Sequence, residues 1–401
     1  MKDSDNVRFV AASAENYDND GASVPTAVQV ARVTVRHVVL PMKFAFVTAK
    51  GRLAQRDTLC VTVTDNTGLT GYGEIVAFTT PFYTAETLDT AWSLCTECIG
   101  PRLVGYRITN PEQVADDIVR LIGSDAYPMT TAGVENALLD LYYRKLGQPM
   151  VSTFFGEPLT PMIASGVVIG DMALDDMLAK VRREVEKGCK RIKLKINPSD
   201  AVERVSLVRR TFPEITLAAD ANRSFHVSEW PLIQALAPYK LACVEEPLDA
   251  DVSVLGKLRQ DTPSSTPICL DESVQSMDDL RRAHRAGALD VLNVKIGRLG
   301  GLVRAKEIIH YCRRQHIAYW IGSMVESGIS KWLHVQLAAL PDTYMAGDLS
   351  DSARYFEKDV ICPDIAFSEG SMQVPTGIGS GAVVDEAVLN QYTQRQVTFT
   401  P

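Results

Sequence analysis

Eight short apolar runs divide the larger part of the chain at a nearly constant interval. Amphipathic stretches such as LDDMLAKVRREVEKG and LVRAKEIIHYCRRQ separate them, which is the alternation that consecutive βα units produce. The runs begin at residues 162, 191, 216, 242, 267, 291, 318 and 343, so each starts 24 to 29 residues after the one before. Eight units at such regular spacing predict a parallel (β/α)-barrel. An open doubly wound sheet is the alternative, because strand number alone does not force closure.

The first 150 residues follow a different pattern. Three alternating segments, VARVTVRHVVL, TLCVTVTD and GYGEIVAF, predict an antiparallel meander with a turn at residues 65–68. Helical segments are expected after it, around residues 85–99, 111–122 and 132–146, the last capped by Gly147. We therefore expect an α/β protein with four segments. They are an N-terminal arm at 1–28, an α+β domain at 29–155, the barrel at 156–355 and a C-terminal segment at 356–401.

Charge and composition narrow the class of partner. The net charge is −8 and the pI is near 5.4, and no cluster of Lys and Arg is present, which argues against a nucleic-acid surface. No run of 18 or more apolar residues occurs and the N-terminus is acidic, so we expect no membrane association and a cytoplasmic location. The expected partner is a small molecule.

Polar residues end or interrupt five consecutive apolar runs, from the second to the sixth. The steps from Lys195 to Asp220, Glu245, Asp271 and Lys295 are 25, 25, 26 and 24 residues, or one βα unit each. Because reacting groups of such barrels lie at the C-terminal ends of the strands, these side chains are expected to converge. The full series is Lys193 with Lys195, Asp220 with Asn222, Glu245 with Glu246, Asp271 with Glu272, and Asn293 with Lys295.

The acids of this series predict a divalent cation. One carboxylate from each of three neighbouring strands would repel the others unless a cation neutralised them, and oxygen-only ligation favours Mg²⁺, with Mn²⁺ as a substitute. The six histidines lie outside the series, which argues against zinc.

The lysines predict proton transfer. Lys193 and Lys195 point the same way from one strand, and a cation and a second ammonium beside a lysine lower its pKa. Lys295 arrives from across the barrel, so ammonium groups on two sides of a metal-bound carboxylate suit removal of its α-proton. The alternative is that one or more of these lysines only pair with the carboxylates.

These motifs resemble the enolase superfamily, in its muconate-lactonizing-enzyme subgroup. The matching text is KLK at 193–195, DANRSF, VEEP, ICLDES and NVKIGRLGG. The resemblance implies that Asp220, Glu245 and Asp271 bind Mg²⁺ and that Lys195 is the principal base. Lys295 would be its opposite number and Lys193 a further catalytic lysine. Four further side chains would position these groups without being metal ligands or bases themselves, namely Glu246, Glu272, Asn293 and Glu326.

Further segments narrow the resemblance to one family. GYGEIVAFTTPFYTAET, SGVVIG, GSMVESGI and GDLSDSARYFEKDV are similar to o-succinylbenzoate synthases and to N-succinylamino acid racemases. In that family the first domain caps the barrel mouth, its loops (here about residues 43–56 and 78–83) close over the substrate, and the last residues complete the cap. The residues expected to contact substrate are Asn222, Ser323, Met324, Ser165, Phe82 and Tyr83.

The resemblance implies two related reactions. A synthase would dehydrate 2-succinyl-6-hydroxy-2,4-cyclohexadiene-1-carboxylate with syn geometry to 2-succinylbenzoate, a step of menaquinone biosynthesis, through an enediolate. A racemase would use Lys195 and Lys295 as bases on opposite faces of an N-succinylamino acid. A dipeptide epimerase fits less well, because the region of the eighth strand, which reads MAGDLSDSARY, lacks the Asp-rich motif of those enzymes. A non-catalytic protein of the same fold would not be expected to keep these costly buried charges. We also expect a homo-oligomer.

Overall fold

The computed structural model describes residues 27–48, 51–81 and 83–401. Nearly all of the predicted N-terminal arm, up to residue 26, lies outside the described residues, and so does Phe82, so both stay predictions. Within the described ranges, no helix is long and apolar enough to span a membrane.

The first domain is built on an antiparallel meander, as its alternating β-branched segments predict. The strands are β1 (Val28–Thr48), β2 (Gly51–Asp65) and β3 (Thr70–Ile75). They pair in chain order, β1 with β2 and β2 with β3. The predicted turn between β2 and β3 is confirmed, because the Asp65 carboxylate accepts hydrogen bonds from the backbone amides of Thr67 and Leu69 at 2.8 and 2.9 Å.

Helices cover one face of this sheet. They are α1 (Leu88–Ser93), α2 (Gly100–Leu103), α3 (Val114–Ile122), α4 (Pro128–Leu146) and α5 (Met150–Phe155), and the short strand β4 (Arg107–Ile108) pairs with β1. α4 packs against β3. It begins four residues before the predicted start, at a proline, which the first turn of a helix accepts without losing a hydrogen bond. It ends as predicted, because Gly147 has a φ of 68° and caps it.

The second domain contains a parallel sheet. Among the described residues its seven strands are β6 (Gly166–Ile169), β7 (Arg191–Lys195), β8 (Thr216–Asp220), β9 (Val244–Glu245), β10 (Ile268–Leu270), β11 (Val291–Val294) and β12 (Ala318–Ile321). They are adjacent in chain order. The predicted first run is split, because its beginning forms a separate strand, β5 (Met162–Ala164), in a different sheet.

Helices connect these strands. They are α6 (Leu174–Glu186), α7 (Ala201–Thr211), α8 (Trp230–Gln234), α9 (Val252–Asp261), α10 (Met277–Arg285), α11 (Ile296–Leu299), α12 (Leu302–Gln315) and α13 (Gly328–Ala338). Their apolar residues, for example Val205 and Val208 of α7, are buried in one continuous core with the strands. The result is the βα repeat that the spacing predicts.

The eighth apolar run closes the barrel without forming a regular strand. The Tyr344 amide donates to the Tyr319 carbonyl of β12 at 2.8 Å, and the Gly166 amide of β6 donates to the Gly347 carbonyl at 3.0 Å. The prediction of an eighth regular strand is therefore wrong in detail. One physical reason is that the Arg191 guanidinium donates a hydrogen bond to the Ala346 carbonyl at 2.7 Å. This carbonyl therefore pairs with a side chain instead of with a neighbouring strand.

The C-terminal segment returns to the first domain. Its elements are β13 (Phe367–Ser368), β14 (Ser371–Gln373), α14 (Glu386–Tyr392) and β15 (Thr393–Phe399). β15 pairs antiparallel with β1, with Val397 opposite Val35. A second apolar core, which includes Leu40, Val335 and Leu389, joins residues of both domains and of this segment. The fold is the modified barrel with a completed cap, whereas the precise segment boundaries stay a prediction.

Candidate active site

The predicted series of polar residues converges at the C-terminal ends of the barrel strands. Register places Lys195 of β7 beside Asp220 of β8, and Asp220 beside Glu245 of β9. Asp271 follows the end of β10, and Lys295 follows the end of β11. The constant spacing thus produces one cluster, because each βα unit brings the chain back to the same end of the barrel.

Three buried carboxylates form the middle of the cluster. Burial raises the pKa of Glu245 to about 8, and repulsion from the neighbouring Asp220 adds to the effect of burial. Burial would also raise the pKa of Asp220, but Lys195 and Lys193 hold it below its usual value. Lys295 and Arg298 likewise outweigh burial at Asp271 and lower its pKa. Burial is thus the main cause of the raised pKa of Glu245, and the nearby Lys193 ammonium only partly offsets it.

Lys193 contacts three carboxylates. Its Nζ lies 2.7 Å from Glu245 Oε2, 3.3 Å from Asp220 Oδ2 and 2.5 Å from Asp348 Oδ2. Burial alone would lower its pKa, but Asp348 and Glu245 raise it well above the usual value. The sequence predicts a lowered pKa for these lysines, but the pKa of Lys193 is raised, because carboxylates and not cations are its nearest neighbours.

Lys195 and Lys295 lie on the two flanks of the cluster. Lys195 Nζ lies 2.7 Å from Asp220 Oδ2 and 2.5 Å from Asn222 Oδ1. Lys295 Nζ lies 2.6 Å from Asp271 Oδ2, and this carboxylate outweighs burial and raises the pKa of Lys295. Both lysines are therefore paired with carboxylates in this structure, as the alternative interpretation of the sequence expects.

These ion pairs determine how the acids are arranged. Among the side chains that the structure describes, no three or more His, Cys, Asp or Glu groups are arranged as a ready metal cage. The carboxylate oxygens face ammonium groups instead of one another, so a cation would have to take oxygens that the lysines now occupy. The donor set itself suits a hard cation, because it consists of carboxylate oxygens from three neighbouring strands.

Neighbouring amides and acids hold the cluster. Asn293 Nδ2 donates to Glu245 Oε1 at 2.8 Å, and Asn222 Nδ2 donates to Glu272 Oε1 at 3.1 Å. Glu246 turns away from Glu245 and accepts the backbone amide of Asp271 at 2.7 Å. Burial, followed by repulsion from Asp271, raises the pKa of Glu272 to about 7.

The backbone at these strand ends is unusual. Asn222 has a φ of 43°, Glu246 of 41° and Val325 of 58°. Residues other than glycine rarely adopt such positive φ angles, and those that do are concentrated at functional sites.

A loop of the capping domain reaches the cluster through Tyr83. Its hydroxyl donates to Asp271 Oδ1 at 2.9 Å and accepts from Arg298 Nη1 at 3.1 Å and from Lys295 Nζ at 3.3 Å. Lys295 Nζ also lies 4.9 Å from the centre of the Tyr83 ring. Arg298 forms a further ion pair with Asp271. The two domains therefore build the Lys295 side of the site together.

The loop after β12 lies beside Lys295. A side chain at Gly322 would collide with Asn293 and with the Lys295 side chain, which explains the glycine. Ser323 Oγ donates to Glu326 Oε1 at 3.0 Å, and the Met324 amide donates to the same carboxylate. Ser323 and Met324 are thus held by Glu326, while their contact with substrate stays a prediction.

Ser165 is not part of this cluster. It precedes β6 and so lies at the opposite end of the barrel from the strand ends that carry the lysines. Its buried hydroxyl donates to the Leu349 carbonyl at 2.5 Å. The predicted substrate contact conflicts with this position. The prediction of Ser165 rests on the resemblance of the SGVVIG segment alone, and no spacing argument supports it.

Several residues of the site were not among the sequence predictions. Asp348 pairs with Lys193 and with Arg191, and Arg56 of the cap donates to the Val325 carbonyl at 3.2 Å. His334 Nδ1 lies 3.4 Å from Glu326 Oε1. Asp348 ends the eighth apolar run, so the rule that found the other acids could have found it. No local signal marks Arg56 or His334.

Comparison with known proteins agrees with this architecture. The enolase C-terminal domain-like family model matches residues 176–388, and the mandelate racemase / muconate lactonizing enzyme N-terminal domain model matches residues 28–154. The chain belongs to the enolase superfamily. Within the superfamily, the o-succinylbenzoate synthase of Bacillus subtilis is 35% identical over 373 residues, which cover 93% of this chain and 99% of that relative.

Other relatives in the enolase superfamily include a racemase. The N-succinylamino acid racemase of Thermus thermophilus is 35% identical over 348 residues, covering 86% of this chain and 92% of that protein. A solved structure of an enolase superfamily member from Enterococcus faecalis aligns with a TM-score of 0.85 at 34% identity, covering 92% of this chain and 99% of that chain. Enolase superfamily sites combine a lysine or histidine base with one or two Mg²⁺ ions.

Proposed function

We propose that the protein is an o-succinylbenzoate synthase, a hydro-lyase that acts in menaquinone biosynthesis. The observation that carries this proposal is the position of Lys195 and Lys295 on either side of three buried carboxylates, in a chain similar over nearly its full length to proteins of that name. The substrate would be a small cyclohexadiene carboxylate with a succinyl side chain.

Asp220, Glu245 and Asp271 are the proposed ligands of one Mg²⁺ ion, for which Mn²⁺ could substitute. When bound, the ion supplies positive charge that stabilises the carboxylate of the substrate as its α-proton is removed. Lys193 and Lys195 share the Asp220 Oδ2 atom, and Lys193 also contacts Glu245, so these lysines would have to give up part of their contacts to a bound cation. Asn293 and Glu246 would keep Glu245 and the backbone of Asp271 in place.

Lys195 is the proposed base. It would take the α-proton of the ring, and the C–O bond to the neighbouring hydroxyl would break on the same face. The Lys195 ammonium would then give the proton to the departing hydroxyl, which leaves as water. Lys295 would stabilise the negative charge from the other side, and Tyr83, Ser323, Met324 and Asn222 would line the substrate pocket.

Racemisation of N-succinylamino acids is the second candidate. It is favoured by the placement of two lysines on opposite flanks of the carboxylates and by the racemase relative from Thermus thermophilus. A dipeptide epimerase is less well supported, because Asp348, the first acid of the eighth run, already holds Lys193 and Arg191 and is not free to bind a peptide amine. A cytoplasmic location and a homo-oligomeric state belong to the same proposal.

Assay of one purified sample on both substrates tests the proposal. We expect a higher kcat/KM for dehydration of the cyclohexadiene carboxylate than for racemisation of N-succinylamino acids. Both activities should disappear with excess chelator and return with Mg²⁺. A higher kcat/KM for racemisation would make racemisation the favoured function. Activity that persists in excess chelator would contradict the proposed metal site.

A further inference from the structure

Asp348 lies at the end of the eighth run, where the chain closes the barrel. Its side chain is 9% exposed, and both of its oxygens are occupied by cations from β7. Oδ2 lies 2.5 Å from Lys193 Nζ, and Oδ1 lies 2.5 Å from Arg191 Nη2. These two cations outweigh burial and lower the pKa of Asp348, so the carboxylate is ionised at neutral pH.

Arg191 fixes this carboxylate in space. Its side chain is fully buried, and its Nε donates to the Ala346 carbonyl at 2.7 Å, two residues before Asp348. The guanidinium also lies 5.1 Å from the centre of the Trp320 ring. Asp348 is therefore held by the barrel wall whether or not a cation is present at the three proposed ligands.

Lys193 has three N–H donors and three carboxylate neighbours. Two of these neighbours, Asp220 and Glu245, are proposed metal ligands, so a metal ion and the Lys193 ammonium compete for the same oxygens. Asp348 is the neighbour that is not a proposed ligand. Without it, the buried ammonium could pair only with the two ligands, because a buried charge left without a partner is strongly unfavourable.

We propose that Asp348 is a positioning residue that acts as the counter-ion of Lys193 and so keeps Asp220 and Glu245 available to the metal. This inference rests on the proposed metal site. It assigns the eighth run a role in metal binding although none of its side chains binds the metal.

Calorimetric titration of the full-length protein with Mg²⁺, without substrate, tests the role of Asp348. We expect Asp348→Asn to weaken Mg²⁺ binding about 10- to 100-fold, as loss of groups that support metal ligands usually does. Asp342→Asn is the matched control, because Asp342 pairs with Arg313 at 2.7 Å on the same stretch of chain but does not contact Lys193. It should bind Mg²⁺ as the wild type does.

A double-mutant cycle distinguishes competition by Lys193 from the general electrostatic effect of removing the Asp348 carboxylate. In the Lys193→Met background, Asp348→Asn should change Mg²⁺ affinity by less than about twofold, since its effect depends on Lys193. An equal loss in both backgrounds, or no loss in either, would overturn the proposal. If Asp348→Asn alone does not fold, Lys193→Met alone decides: removal of the competing ammonium should strengthen Mg²⁺ binding, and unchanged or weaker binding would overturn the proposal. A wild-type protein that binds no Mg²⁺ would instead remove the proposed metal site.

Discussion

The two lysines that flank the carboxylates are held by different parts of the molecule. Lys195 ends β7, and its contacts are Asp220 and Asn222, which belong to the next barrel unit. Lys295 follows β11, and its contacts are Asp271 and the hydroxyl of Tyr83, which comes from the capping domain. One side of the site is therefore complete within the barrel, whereas the other side is complete only when the cap is in place.

The contacts on the two sides are otherwise similar. Each lysine touches one neutral polar group that also bonds to an acid: Asn222 donates to Glu272 at 3.1 Å, and Tyr83 donates to Asp271 at 2.9 Å. Lys195 itself lies on strand β7 and Asn222 lies in the turn two residues after β8, whereas Lys295 follows the end of β11 and Tyr83 lies on a loop. Sites on strands are positioned more rigidly than sites on loops. We expect chemistry at Lys195 to tolerate changes in the cap and chemistry at Lys295 to depend on them.

Removal of Lys195, the lysine whose contacts lie within the barrel, should have the largest effect on activity. Lys195→Ala should reduce both dehydration and racemisation by about 100- to 10,000-fold, the usual contribution of a general base. Steady-state kinetics on both substrates measures the loss. Circular dichroism is the control for folding. Retention of either rate within about tenfold would exclude Lys195 as the base.

Substitution of Lys295, the lysine that contacts the capping domain, should affect the rates of the two reactions unequally. Lys295→Arg keeps a positive charge beside Asp271, so dehydration should fall less than about tenfold, whereas racemisation, which needs a second base, should fall at least about 100-fold. The ratio of the two kcat/KM values is the measurement. Equal losses would contradict the division of labour between the two sides.

The barrel side of the site was the easier side to predict from the sequence. Lys195, Asp220 and Glu245 repeat at the length of one βα unit, and neighbouring parallel strands convert equal spacing into adjacent positions. The cap side depends on contacts between distant segments, and no period relates them. Tyr83 was found only by resemblance, and Arg56, whose guanidinium donates to carbonyl groups of three segments, was missed.

Two details of the barrel differ from the sequence prediction. Ser165 is a predicted substrate contact by resemblance alone, but it precedes β6 and lies at the opposite end of the barrel from Lys195. The eighth run was expected to be a regular strand, but the Arg191 side chain occupies one of its carbonyl groups. An apolar run locates a strand, but it does not show which end of the run reaches the site.

Loss of one hydroxyl on the cap side should have the smallest effect. Tyr83→Phe keeps the ring beside Lys295 but removes the hydroxyl that bonds to Asp271, Arg298 and Lys295. A hydrogen bond to a charged group contributes about 1.5–3 kcal/mol, which corresponds to about 10- to 150-fold in rate. Because Lys295 keeps its contact with Asp271, we expect a loss at the lower end, about tenfold, in the step that uses Lys295. Deuterium exchange at the α-carbon of each N-succinylamino acid enantiomer, followed by NMR in D₂O, reports on each lysine separately.

The matched change on the barrel side is Asn222→Ala, which removes the amide contact to Lys195. It should slow exchange of the enantiomer whose α-proton faces Lys195, while Tyr83→Phe should slow exchange of the other enantiomer. This crossed pattern follows from the two separate sets of contacts. If both variants slow exchange of the same enantiomer, the two sides are not independent, and the cap would then control the Lys195 side through the shared carboxylates.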